Sequence, residues 1–271
     1  MEKLSALEIL SKLVSFPTVS NTSNLKLVEW VENYLLGFGI ESYRKYNADG
    51  DKAALFAHVG PMKEGGVVLS GHTDVVPVEG QNWISDPWVL EERDGKYFGR
   101  GSCDMKGFDA LAIWAMVEAN EKEVTRPLQI ALSYDEEVGC LGAPPMIEEM
   151  LKKLPKASMV IVGEPSTMLA VTGHKGALGI KTHVIGKEVH SSILDRGVSA
   201  IMNSAKLIEW ANSENISNKL KTPSETARLF DPPYTTHHVG TIKGGTAHNI
   251  TSKDCWFEMD VRVVSDEPVE F

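Results

Sequence analysis

The stretch LQIALSYDEEVGC, residues 128–140, runs from an apolar, β-forming segment straight into three acids, Asp135, Glu136 and Glu137. Side-by-side carboxylates repel one another, so a chain that ends a strand in this way needs cations close by. The pattern recurs twice. VVLSG (67–71) is followed by His72 and Asp74, and MVIVG (159–163) by Glu164. Three separate apolar runs of strand length therefore end in histidine or carboxylate. Between them lie helical patterns such as FDALAIWAMVEAN (108–120) and PMIEEMLKKL (145–154). Strand–helix alternation of this kind predicts an α/β domain with a mostly parallel central sheet. In such sheets sites form outside the carboxyl ends of the strands, so residues distant in sequence are expected to converge there.

The helices SALEILSKLV (5–14) and NLKLVEWVENYLLGFG (24–39) precede the first strand, the second with Thr22 or Ser23 as its cap and Gly37 as its stop. WVLEERDGKYFGRG (88–101) reads as a hairpin turning at Asp94-Gly95. Beyond about residue 173 the texture changes. A strand (177–187), a helix (197–213) and two strands (236–245 and 253–264) make most of a ferredoxin-like β-α-β-β-α-β sandwich. SDEPVEF (265–271) reads as the start of its next helix, so this domain is expected to be incomplete at its C-terminus. The expected domains are thus 1–173, catalytic and metal-binding, and 174–271.

Chain-wide properties narrow the function. A net charge of −10 gives no footprint for nucleic acid. No apolar run reaches the roughly 18 residues of a membrane span, and the first residues, MEKLSALEIL, lack a signal-peptide pattern. Cys103, Cys140 and Cys255 are few, odd in number and widely spaced, which predicts reduced thiols and a cytoplasmic protein.

Asp104 joins the candidate residues from the Gly-flanked loop GRGSCDMKG (99–107). Each signal alone has a plainer reading: a helix cap for Asp104, a solvated loop for the three acids, a turn cap for Glu164. Four of them at strand ends or helix starts of one α/β unit favour metal chemistry. One imidazole with several carboxylates suits Zn²⁺, Co²⁺ or Mn²⁺. One of the paired glutamates is then free to hold a proton while the other binds metal, and Asp74 lies where it can fix the His72 tautomer.

SGHTDVVPVEGQNWISDPW, GRGSCDMKGF, YDEEVGCLGA and GEPS, in this order, resemble the successive motifs of the dinuclear-zinc amidohydrolase and peptidase family. The resemblance runs from about residue 5 to the end of the chain. It implies two divalent metals, zinc with cobalt as the alternative. His72 and Glu164 would hold one, Glu137 the other, and Asp104 would bridge them. It further implies amide hydrolysis by metal-activated water, with Glu136 as general base and Asp74 supporting His72. The second domain would be a lid and dimerisation domain of a homodimer. His190, in GKEVHSS, would reach a neighbouring subunit's site, and Asn249 and Arg262 would anchor the carboxylate of a small N-acyl amino acid.

Further motifs, among them HSSILDRGVSAI and GGTAHNI, fit the branch acting on Nα-acetyl-L-ornithine in arginine biosynthesis, with succinyl-diaminopimelate as runner-up substrate. The family's second-metal histidine, from a C-terminal segment, has no counterpart here. The contrasting expectation is therefore a catalytically incomplete metal-binding or dimerising module.

Overall fold

A computed structural model describes residues 2–264; the helix expected from Ser265 onward lies outside them. The chain forms two compact units, Met1–Leu169 and Ala170–Phe271, dividing a few residues before the expected boundary.

In the first unit, helices α1 (Ala6–Val14) and α2 (Leu25–Leu36) precede strands β1 (Ser42–Tyr46), β2 (Ala53–Val59) and β3 (Val67–His72). A hairpin, β4 (Glu91–Arg93) and β5 (Lys96–Phe98), follows. Helix α3 (Lys106–Glu121), strand β6 (Leu128–Ser133), helix α4 (Ala143–Lys153) and strand β7 (Met159–Val162) complete the unit. The hairpin turns on Asp94 and Gly95, both at positive φ, as the type I′ sequence Asp-Gly predicts.

The five-stranded sheet has the order β1-β2-β6-β3-β7. Strands β6, β3 and β7 pair in parallel, and β2 pairs antiparallel with both β1 and β6. Four of the five strands thus share one direction and only β2 is reversed. Apolar side chains of α1, α2 and α3 pack on one face around Leu13, Val31, Leu55, Ile113 and Ile130, all essentially inaccessible. The other face, with Phe56, Ala131 and Tyr134, is covered by Met146 and Met150 of α4.

Two local expectations need correction. Strand β1, SYRKY, carries no apolar run and was not expected as an element. The cap position of α2 is Asn24, not Thr22 or Ser23. Its side chain makes no cap bond because it bonds Ala53 twice and the Thr73 hydroxyl, pinning α2 to β2 and the end of β3.

In the second unit, β8 (Gly176–Ile185), helix α5 (Ala200–Leu220), β9 (Thr236–Gly244) and β10 (Asp254–Val263) follow in the order read from the sequence. β10 lies between β8 and β9 and is antiparallel to both, so β8 and β9 run parallel with a strand inserted between them. This is the split β-α-β arrangement. Alternate β10 residues Met259, Val261 and Val263 are buried in a small core with Ala211 of α5, while Trp256, Glu258 and Arg262 face outward.

Candidate metal centre

Strand register places the first residues of the site. In the parallel β3–β6 pair His72 is opposite Ser133, and in β3–β7 Ser70 is opposite Val162. His72 therefore stands level with the start of the Tyr134–Glu137 segment on one side and with Glu164 on the other. Convergence follows from three adjacent parallel strands ending at one height.

His72 is 1% exposed, and its Nε2 lies 3.2 Å from Asp104, 3.6 Å from Glu164 and 3.8 Å from Glu136. Ligand-competent atoms of His72, Asp104 and Glu137 lie within 4.8 Å of one another, as do those of His72, Glu136 and Glu164. Four carboxylates thus gather around the His72 imidazole. Asp104 is not spent as a helix cap: the cap position of α3 is Met105, and the Asp104 carboxylate faces His72.

Asp74 lies behind the ring. Nδ1 of His72 is 2.9 Å from the Asp74 carbonyl and 3.4 Å from its carboxylate. That carboxylate also accepts the Ser20 hydroxyl (2.7 Å) and the backbone N–H groups of Glu136 (3.1 Å) and Glu137 (3.4 Å). One buried acid thus fixes the ring and the two glutamates together. Burial opposes charge on this carboxyl, yet His72, then Ser20 and the Glu136 N–H, hold it below the usual carboxylate range.

The three consecutive acids part company. Asp135, at positive φ, turns inward to a buried ion pair with Lys52 (2.5 Å) and accepts the Asn21 N–H. Glu136 offers one carboxylate oxygen to the Cys140 thiol at 3.3 Å and the other to the side of His72. Glu137 faces His72 and Asp104. Only two of the three acids join the cluster.

Its electrostatics call for a cation. Burial opposes charge on His72, yet Asp74, with Asp109 and Glu164, raises its pKa to about 10. Burial, then repulsion from Asp104, pushes the Glu137 carboxyl up; burial, with Asp104, Glu136 and Asp74, does the same at Glu164. A divalent ion would relieve both, and an imidazole with carboxylate oxygens is a donor set such ions accept. The residues present fit a metal.

Sequence reading missed the support beneath. Lys106 is fully buried and donates to the Phe16 carbonyl (2.7 Å), and burial lowers its pKa to about 7. Asp109, also buried, is raised to about 8 by desolvation. A Cβ on Gly71 would meet the Asp109 carboxylate at 2.0 Å, so the strand before His72 requires glycine there. Lys106 and Asp109 looked like ordinary helix residues; only an acid and a base three apart within an apolar helix marked them.

In the second unit, His190 and Asn249 come together through the backbone pairing of His190 with Ile250 and the bond from Ser191 N–H to the Asn249 carbonyl. Nδ1 of His190 lies 3.2 Å from the Ser192 N–H and 2.8 Å from its hydroxyl, and Nε2 faces the Asn249 side-chain amide nitrogen at 3.4 Å. Arg262 is not brought to this pair. It lies near the far end of β10, about 26 Å along the strand from Asp254, and its Nε donates to Asp260.

A family model for peptidase family M20/M25/M40 matches residues 68–261. The chain is 35% identical to acetylornithine deacetylase of Pasteurella multocida, over 97% of this chain and 69% of that protein. It is 34% identical to the same enzyme of Myxococcus xanthus, over 96% and 67%. The chain thus spans about two thirds of these relatives' length. Solved structures share the fold: an M20 family metallo-carboxypeptidase from Sulfolobus solfataricus (TM-score 0.73, 17% identity, 98% of this chain, 72% of that one). A dinuclear metal-binding M20 peptidase of Bacillus subtilis also matches (TM-score 0.59, 15% identity, 96% and 64%). With its clustered ligand-competent side chains and these relatives, the chain belongs to peptidase family M20/M25/M40 and is a metal-dependent amidohydrolase.

Proposed function

We propose that the protein removes the acetyl group from Nα-acetyl-L-ornithine, giving L-ornithine and acetate as a step of arginine biosynthesis. The observation that carries this reading is the convergence of His72, Asp104, Glu136, Glu137 and Glu164 at three strand ends and one helix start. The names of the sequence relatives point to the substrate.

His72, Asp104, Glu137 and Glu164 would hold divalent metal, zinc in the first instance and two ions in the family arrangement. Bound there, such an ion lowers the pKa of water to about 7 and polarises a carbonyl oxygen. The chain's own residues supply the rest. Glu136, with one oxygen engaged by Cys140, has its other oxygen on the cluster side, 3.8 Å from His72 Nε2. It takes a proton from the attacking water there and delivers it to the leaving amine nitrogen. Asp74 keeps the His72 ring turned toward the cluster through Nδ1.

His190 is the proposed partner for a developing oxyanion, and its exposure supports service to a neighbouring subunit of a homodimer. Asn249, and Arg262 once released from Asp260, are the proposed anchors for the substrate carboxylate. Three free cysteines support a reducing, cytoplasmic setting. Among the described residues no helix is long and apolar enough to cross a membrane.

The test is acetate release from Nα-acetyl-L-ornithine by zinc-reconstituted protein, compared with succinate release from N-succinyl-diaminopimelate. Preference for the first supports the proposal. Preference for the second reassigns the substrate, and hydrolysis of neither rejects it.

A further inference from the structure

We propose that Lys52, far from the cluster in sequence, is a positioning residue for Glu136 and Glu137 and acts through Asp135. This rests on the proposed roles of those glutamates. Lys52 immediately precedes β2 and is 7% exposed; Asp135 is 5% exposed. Lys52 Nζ meets one Asp135 oxygen at 2.5 Å, and the other oxygen accepts the Asn21 N–H at 3.1 Å. Lys52 is itself held from behind, because its backbone N–H donates to the Asn47 side chain and its carbonyl accepts the Asn47 N–H.

Asp135 is the residue immediately before Glu136, and its φ of +52° lies in the left-handed region. That conformation is less favourable for a residue with a Cβ than the right-handed one, though aspartate is among those that adopt it, and side-chain bonds can fix it. The Lys52 bond and the Asn21 bond do so. The segment after β6 is then clamped at two successive points: at Asp135 by Lys52 and Asn21, and at the Glu136 and Glu137 amides by Asp74. Ser20 and Asn21, adjacent in the loop between α1 and α2, reach one clamp each.

Stability alone is a weak reason for the ion pair. Two charges taken out of water regain little more than their desolvation cost, and an apolar pair in the same space is often as stable. What the pair supplies is a single geometry for the backbone from which both glutamates project.

Neutralising both partners separates the two roles, because Lys52→Met with Asp135→Asn leaves no unpaired buried charge. Asparagine also tolerates the left-handed backbone. The double variant is expected to melt close to the wild type yet bind zinc about tenfold more weakly, the scale seen for losing outer-shell support. A double variant that binds zinc as tightly as the wild type overturns the inference. Should the double variant fail to fold, Lys52→Leu with Asp135→Asn, equally free of unpaired charge, carries the same test, with unchanged zinc affinity as the overturning result. Wild-type protein that takes up no zinc instead overturns the proposed site, and this inference with it.

Discussion

The two groups of candidate residues are built differently. In the first unit, His72 and Asp74 are almost wholly buried, and Asp74 alone accepts from Ser20, Glu136 and Glu137. In the second unit, His190 is exposed and Asn249 half-buried, both held by short turns, and the Arg262 side chain bonds Asp260, two residues away on the same strand. A centre whose geometry must be fixed before substrate arrives needs a buried supporting layer. Groups that meet a substrate from outside can be left half-free. The contrast predicts that damage in the first unit shows in metal binding, whereas damage in the second shows in turnover alone.

The largest expected effect breaks that rule at one residue. Glu136→Gln should keep its zinc but lose turnover by a factor on the order of 10² to 10⁴, the usual share of a general acid–base group. Normal turnover by this variant would remove Glu136 as the base. His190→Ala should lower kcat by about 10², as for one oxyanion donor, with zinc content unchanged. If zinc is lost with it, His190 belongs to the metal centre and the contrast between the units fails.

Asp74→Asn keeps the shape but offers Glu136 or Glu137 a poorer acceptor, and should weaken zinc binding about tenfold in a competition titration. An unchanged affinity would make Asp74 a bystander.

The remaining effect concerns pH and bears on stability rather than on zinc or turnover. Burial raises the Asp109 carboxyl to about 8, so the folded chain keeps a proton that the unfolded chain releases near the ordinary value of 3.8. The folded state binds more protons in that interval, so stability is fully present below it and falls as pH rises toward 8. In metal-free protein, Asp109→Asn should flatten the fall in denaturant midpoint between pH 5 and pH 8. Parallel curves for the two proteins would show that Asp109 does not titrate there.

The strand ends were legible because β-rich apolar runs stop abruptly at charged residues, and parallel register does the rest. Asp94-Gly95 was legible because type I′ turns admit few other pairs. Strand β1 was not, since SYRKY has no apolar run and is fixed by backbone pairing with β2 and by Tyr43 stacking on Phe56. The fate of Asp135 was not either. Its partner Lys52 is 83 residues away, and no local pattern distinguishes an acid that turns inward from two that turn toward a metal. Asn24 illustrates the same limit: it stands where a cap belongs, but its side chain is used in tertiary bonds to Ala53 and Thr73.

The central claim is that side chains gathered from three strand ends and the start of α3 form a metal site, and zinc stoichiometry tests it most directly. Protein stripped with chelator and reconstituted should retain at least one zinc per chain through gel filtration, and His72→Ala should retain none. Wild-type protein that comes through without zinc, or a His72→Ala variant that keeps its full complement, would contradict the account.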